Sequence, residues 1–127
     1  MTRILVGAAA LAASLALAPA ALAHVELEKT SPKAHSTVKA PSAVRMTFSG
    51  PIRSASLTVS GPGSKTASSG HGGRDPRNIN RAVVSLKSGL GAGKYTVKAK
   101  VTAADGHQET FTFWFKIKGP VEESRYA

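Results

Sequence analysis

Three residues of this chain, His24, Asp105 and His107, carry donor atoms in a pattern that suits a metal ion. His24 follows Ala21-Leu22-Ala23, a small-x-small site of the kind signal peptidase cuts. Cleavage there makes His24 the first residue. Its free α-amine and its imidazole Nδ1 can then grip one ion in a single chelate ring, so two nitrogens arrive with little entropic cost. The competing reading is chance, because signal peptidase tolerates many residues at that position. The second signal is Asp105-Gly106-His107, between the two longest expected strands. Gly106 lets the backbone bend without steric cost, and in such a turn the side chains at i and i+2 converge. The plainer reading is that Asp-Gly is a favoured turn dipeptide and His107 is incidental. Together the two signals supply an amine, two imidazoles and a carboxylate. Three nitrogens and one oxygen, without sulfur, suit tetragonal Cu(II) better than Cu(I), which wants thiolate or thioether. Zn(II) accepts similar ligands but prefers a tetrahedron, and Ni(II) is a further competitor.

The other donors are weaker. His71 lies in Ser69-Gly70-His71-Gly72-Gly73, with Asp75 close by in sequence. A weak second metal contact is conceivable there, but the flanking glycines leave it poorly preorganised. His35, in the turn Ser31 to Ser36, reads as a solvated residue. Met46 is the one methionine after Met1 and falls inside an expected strand, so a methionine Cu(I) site is not expected. The absence of cysteine excludes thiolate metal sites, Cys nucleophiles and disulfides. No Ser-His-Asp spacing or pair of carboxylates suggests hydrolysis.

Residues Met1 to Ala23 read as a secretory signal peptide: Arg3 gives a positive start, and Ile4 to Ala21 is apolar. A membrane anchor is the alternative, but the run is Ala-rich and ends at the cleavage site, with Pro19 just upstream. Residues 24 to 127, 104 of the 127, then form one domain with a single core. The formal net charge of +10 falls to +9 without Arg3. A basic domain could meet nucleic acid, anionic lipid or an acidic partner. Its lysines are scattered, however, and many alternate with apolar residues, as on the solvent face of a strand. No basic run is interleaved with aromatics, and export argues against nucleic acid, so the charge reads as a solubilising surface.

The elements that must position the donors are strands. Short alternating stretches are separated by Gly, Pro and Ser, without helical periodicity. Val25 and Leu27 mark a first strand, and Thr30-Ser31-Pro32 a turn. Val44, Met46 and Phe48 mark a second strand, Leu57 and Val59 a third, and Ala82, Val84 and Leu86 another. Tyr95, Val97, Ala99, Val101 and Ala103 line one face of a long strand, with Lys94, Lys98 and Lys100 on the other. Phe111, Phe113, Phe115 and Ile117 line the last strand. Trp114 breaks that pattern among lysines and is expected to cover an edge or pack on a second sheet. The Gly- and Ser-rich stretch 61–80 reads as a long mobile loop or weak hairpin, and residues 119–127 as a loose tail. Six or more short strands without a helix predict an all-β, two-sheet sandwich.

From His24 to Lys118 the chain resembles the CopC family of periplasmic copper-binding proteins. The likeness rests on N-terminal His24 with Ser31-Pro32 after a short strand, and on the Val44 to Ser49 strand ending Thr-Phe-Ser. It continues through Leu90 to Val97, Asp105-Gly106-His107 and Phe113 to Lys116. The specific part is His24 with a downstream D-x-H. The resemblance implies a Greek-key, immunoglobulin-like β-sandwich in which the N-terminal strand lies beside the D-x-H loop. It implies that His24, Asp105 and His107 bind one Cu(II) per mature chain. It further implies a periplasmic monomer for copper resistance or homeostasis, with a CopD-type inner-membrane copper importer as a partner. There are departures. Family members often carry an acid after the Phe-Ser pair, where this chain has Gly50. Pro and Gly often follow the D-x-H histidine, where Gln108 and Phe111 stand here, and the aromatic common in the long strand is replaced by Ala99.

A copper carrier or buffer without catalysis is therefore the leading expectation. One rival is a small oxygenase that uses a histidine brace on polysaccharide, but the chain lacks an extended aromatic face, and Asp105 would occupy a position oxygen activation needs. Another is a scaffold sandwich whose histidines are incidental. Copper titration separates the carrier from the scaffold, and a peroxide-driven oxidation assay separates it from the oxygenase.

Overall fold

A computed structural model describes residues 24–119; the expected leader, 1–23, and residues 120–127 of the expected tail lie outside the described residues. Among the described residues, eight strands run in chain order: β1 (Leu27–Ser31), β2 (Thr37–Val38), β3 (Ala43–Phe48), β4 (Ile52–Ser60), β5 (Ser68–Arg74), β6 (Arg81–Leu86), β7 (Gly93–Ala103) and β8 (Gln108–Ile117). One sheet has the order β1-β3-β6-β5 and the other β2-β8-β7-β4. The fold is the expected all-β sandwich.

Alternation explains the two layers, because successive side chains on a strand point to opposite faces. In β3, Val44, Met46 and Phe48 are fully buried, while Arg45 between them is exposed. In β7, Tyr95, Val97, Ala99, Val101 and Ala103 are buried, and Lys94, Lys98 and Lys100 face solvent. The two inner faces share one core, and burying each large side chain contributes roughly 1.5–3 kcal/mol. Tyr95 lies across from Phe115, rings 5.8 Å apart, and its hydroxyl donates to the Gly91 carbonyl at 2.7 Å.

Local details add to or revise these expectations. Thr30 and Ser31 extend β1 rather than turning the chain, since both pair with β3. Of the two readings of stretch 61–80 the hairpin is the nearer: after a 3-10 turn at Pro62–Ser64 it supplies β5, which pairs antiparallel with the next strand, β6. Gly70 and Gly72, at φ +72° and +64°, lie within an irregularity that hides β5 from an alternation test. A side chain at 72 would strike the Val83 carbonyl, so glycine is required there. The two-residue β2, parallel to β8, is too short to show periodicity. Finally, His35 is exposed but not merely solvated. Its ring lies 4.5 Å from that of Trp114, and its amide donates to the Trp114 carbonyl at 2.8 Å. Lys94 Nζ sits 4.8 Å from the same indole. Trp114 thus neither caps an edge strand nor packs on the second sheet: β8 lies between β2 and β7, and the indole sits on its outer face beside His35 and Lys94.

Candidate metal centre

His24 is placed by its two neighbours. Val25 is 8% exposed and belongs to the core. The Glu26 amide donates to Ser49 Oγ, and its carbonyl accepts from the Ser49 amide, both at 2.8 Å. The chain before β1 is therefore fastened to the turn after β3, and His24 is carried to that end of the sandwich. A Cβ at Gly50 would meet Val25 Cγ1 at 3.6 Å, an ordinary contact, so space does not demand glycine there.

Asp105, Gly106 and His107 form the turn between β7 and β8. The Gly106 amide donates to the Ala103 carbonyl at 2.9 Å, and the Ala103 amide to the His107 carbonyl at 2.8 Å. Gly106 has φ +96°, which a Cβ would strain. Arg53 Nη2 donates to the Ala104 carbonyl at 3.0 Å. Asp105 Oδ1 accepts the His107 amide at 3.0 Å, and Oδ2 lies 3.0 Å from His107 Nδ1. The His107 amide, more than the His107 side chain, holds the Asp105 carboxyl below its ordinary range against a weaker opposing effect of burial. With Nδ1 engaged by this carboxylate, Nε2 is the His107 nitrogen left for an outside partner.

The two sequence signals meet. The rings of His24 and His107 lie 6.3 Å apart, tilted by 50°. With metal–nitrogen bonds of about 2 Å, two imidazoles on opposite sides of one ion have centroids roughly 6 Å apart. Both side chains are open to solvent, at 68% and 63% exposure. The donors are gathered but not closed into a cage: among the described residues, no three His, Cys, Asp or Glu side chains already form a metal cluster. In this chain the His24 nitrogen is an amide joined to Ala23, so the chelating amine arises only on cleavage.

A residue missed from sequence also belongs here. Glu109 Oε1 lies 3.2 Å from His24 Nδ1. Its signal was the row Phe111, Phe113, Phe115, Ile117: one step back along that core-facing row stands an acid. His71 is exposed on β5, and its neighbour in sequence, Asp75, already binds the Arg77 amide and Arg81 Nε, each at 2.9 Å. The secondary contact imagined for His71 therefore has no free carboxylate in Asp75.

A family model described as CopC domain matches residues 27–118. Asp105 and His107 fall inside that match, and His24 lies just before it. Among solved structures, CopC from Methylosinus trichosporium OB3b is 23% identical, with 78% of this chain and 98% of that one covered at a TM-score of 0.65. PcoC from Escherichia coli, a methionine-rich copper resistance protein, is 28% identical, with 76% and 100% covered at a TM-score of 0.62. The N-terminal part of the bacterial S-layer protein SbsC shares the fold at 19% identity and a TM-score of 0.54, with 80% of this chain and 25% of that one covered. No curated protein matches.

Proposed function

This chain belongs to the CopC family, and from that premise we propose that its exported form, cut after Ala23, binds one Cu(II) ion through His24, Asp105 and His107. It serves copper resistance or homeostasis as a periplasmic carrier or buffer, not as an enzyme. A CopD-type inner-membrane importer is the partner to which a monomer would pass the ion. The observation that supports this reading best is the approach of the His24 and His107 rings to 6.3 Å, which family membership through residues 27–118 does not by itself require.

The donor set suits the cargo. The α-amine and Nδ1 of His24 and Nε2 of His107 are borderline nitrogen ligands of the kind Cu(II) favours. To join His107 Nε2 on one ion, the Asp105 carboxylate must turn its Oδ2 away from Nδ1 of the same ring, while Oδ1 can keep the His107 amide. Cu(I) is served poorly, because Met46 is fully buried in β3 and no thiolate exists. In this respect the chain differs from the methionine-rich PcoC.

Processing is the decisive test. An amide nitrogen is a poor ligand unless it loses its proton, whereas an α-amine has a pKa of about 7.7–8.0 and deprotonates readily when a metal competes. Three forms are compared by Cu(II) titration and electron paramagnetic resonance: the chain beginning at His24, the same chain with an added N-terminal Met, and the uncleaved precursor. The first should bind one ion far more tightly than the others, with nitrogen-dominated coordination. Its affinity should fall as pH drops through the histidine range. Equal affinity and identical spectra in all three would remove the amine from the site.

A further inference from the structure

Glu109 occupies a position where the pattern of β8 calls for an apolar residue. Phe113, Phe115 and Ile117 face the core and are buried, and Glu109 continues their row opposite buried Val101. A carboxylate on a core-facing row is costly unless it is paired. Its ion-pair partner among the described residues is His24, at 3.2 Å, and its side chain is only 24% exposed. Valine at 109 would serve the strand better, so the fold does not account for the acid.

We propose that Glu109 is a fourth protein ligand of the copper site: its carboxylate holds the His24 imidazole in the metal-free protein and stays on the ion as a second anionic ligand once copper takes Nδ1. This rests on the copper reading above. The first argument is reach, since a group 3.2 Å from Nδ1 stands beside whatever binds Nδ1. The second is charge. An amine and two neutral imidazoles leave a dication uncompensated, and Asp105 cancels only one of the two charges. The surroundings make this worse: the processed chain carries +9, the full +10 less Arg3, and Arg53 Nη1 lies 3.9 Å from where a Gly106 Cβ would be. Glu109 brings the ion and its ligands to neutrality. Copper must first displace Glu109 from Nδ1, but His24 is 68% exposed, and solvent-exposed pairs of this kind are weak. The attraction of a dication for the carboxylate therefore outweighs the loss of that pair, and Glu109 strengthens binding.

The test uses the full-length chain exported and processed by its host, with the N-terminus confirmed as His24. Glu109→Gln keeps the shape and removes the charge, Glu109→Val suits the strand, and Glu28→Gln removes a carboxylate that touches neither histidine. Cu(II) affinity is read by competition with a chelator of known strength, coordination by electron paramagnetic resonance, and folding by thermal melting. Both Glu109 variants should melt at or above the parent midpoint, bind Cu(II) about tenfold more weakly, and shift the copper g and hyperfine values. Glu28→Gln should do neither of the last two. Parent-like affinity and spectra in Glu109→Gln overturn the assignment while leaving the three-residue site standing, as does an equal loss in Glu28→Gln, which would make the effect bulk charge. Failure of the parent chain to bind Cu(II) removes both readings.

Discussion

Asp75 and Asp105 build nearly the same turn, and on the copper reading proposed above only Asp105 is put to binding. In each, Oδ1 accepts the amide two residues on, Arg77 at 2.9 Å and His107 at 3.0 Å, and Oδ2 faces a nitrogen side chain. The difference lies in that second partner and in the surroundings. Asp75 is 7% exposed, and its Oδ2 takes Nε of Arg81, a cation at any accessible pH. The main chain closes the loop further, with the Asp75 amide donating to the Arg81 carbonyl at 2.7 Å. Asp105 is open to water, and its Oδ2 faces an imidazole that keeps a second nitrogen free. A local motif thus says little about use. What distinguishes the Asp105 turn is the donor capacity left over once the turn has satisfied itself.

The largest expected effect breaks the binding side of this contrast. His107→Ala removes Nε2 and leaves Asp105 without its side-chain partner. Cu(II) affinity of the processed chain should fall by more than about 100-fold, beyond the usual cost of losing an outer partner of a ligand. The melting midpoint should hold, because His107 is exposed. Chelator competition and thermal melting on one sample check both halves. Retained copper would show that His107 is incidental to the turn.

A crossed pair of variants sharpens the contrast at the carboxylates themselves. Asp75→Asn should lower the melting midpoint by several degrees and leave copper binding alone, since Arg81 loses its counter-charge in a nearly buried place. Asp105→Asn should weaken Cu(II) about tenfold and hardly move the midpoint. Acid should expose the same asymmetry. The Arg77 amide first, and then the Arg81 side chain, hold the Asp75 carboxyl below its ordinary range, with burial opposing them. A group with a depressed folded pKa contributes stability that is complete above its unfolded value, about 3.9. That contribution is lost as pH falls through the folded value. Melting curves from neutral pH down to strong acid should therefore fall less steeply below about pH 4 for Asp75→Asn than for the parent. Parallel curves would mean that the Arg77 amide and the Arg81 pair together contribute nothing measurable.

Much of this architecture could be read from the chain because alternation is strict where strands are long. The rows of β3, β7 and β8 announced the two layers, and Asp105-Gly106-His107 announced its turn. What escaped has physical causes. The glycines of β5 carry no side chain that could report a face, and β2 is only two residues long. Glu109 was hidden by its row, since a pattern sought in apolar residues stops at the first charge even when the strand does not. The meeting of His24 with His107 depends on the Glu26–Ser49 hydrogen bonds and on the burial of Val25, which are contacts across the fold without local sequence signs. Spacing could name the donors but could not bring them together.

The smallest expected effects concern the two histidines left outside the site. His71 stands on β5, flanked by glycines, and Asp75, the carboxylate it might have shared an ion with, is already committed to Arg77 and Arg81. An exposed imidazole with no second donor binds Cu(II) weakly and without fixed geometry, so His71→Ala should leave the affinity and spectrum of the first equivalent unchanged. His35→Ala should also spare copper, but it removes a ring 4.5 Å from that of Trp114, tilted by 32°, and should cost about 0.5 kcal/mol of stability. At φ +65° alanine gains nothing in backbone ease over histidine. His35→Gly would recover part of that cost through the backbone while still lacking the ring, so a glycine variant more stable than the alanine variant would separate the two contributions. A loss of copper in His71→Ala together with its retention in His107→Ala would reverse the contrast between the two turns. It would move the metal from the β7–β8 turn to the glycine-rich edge strand.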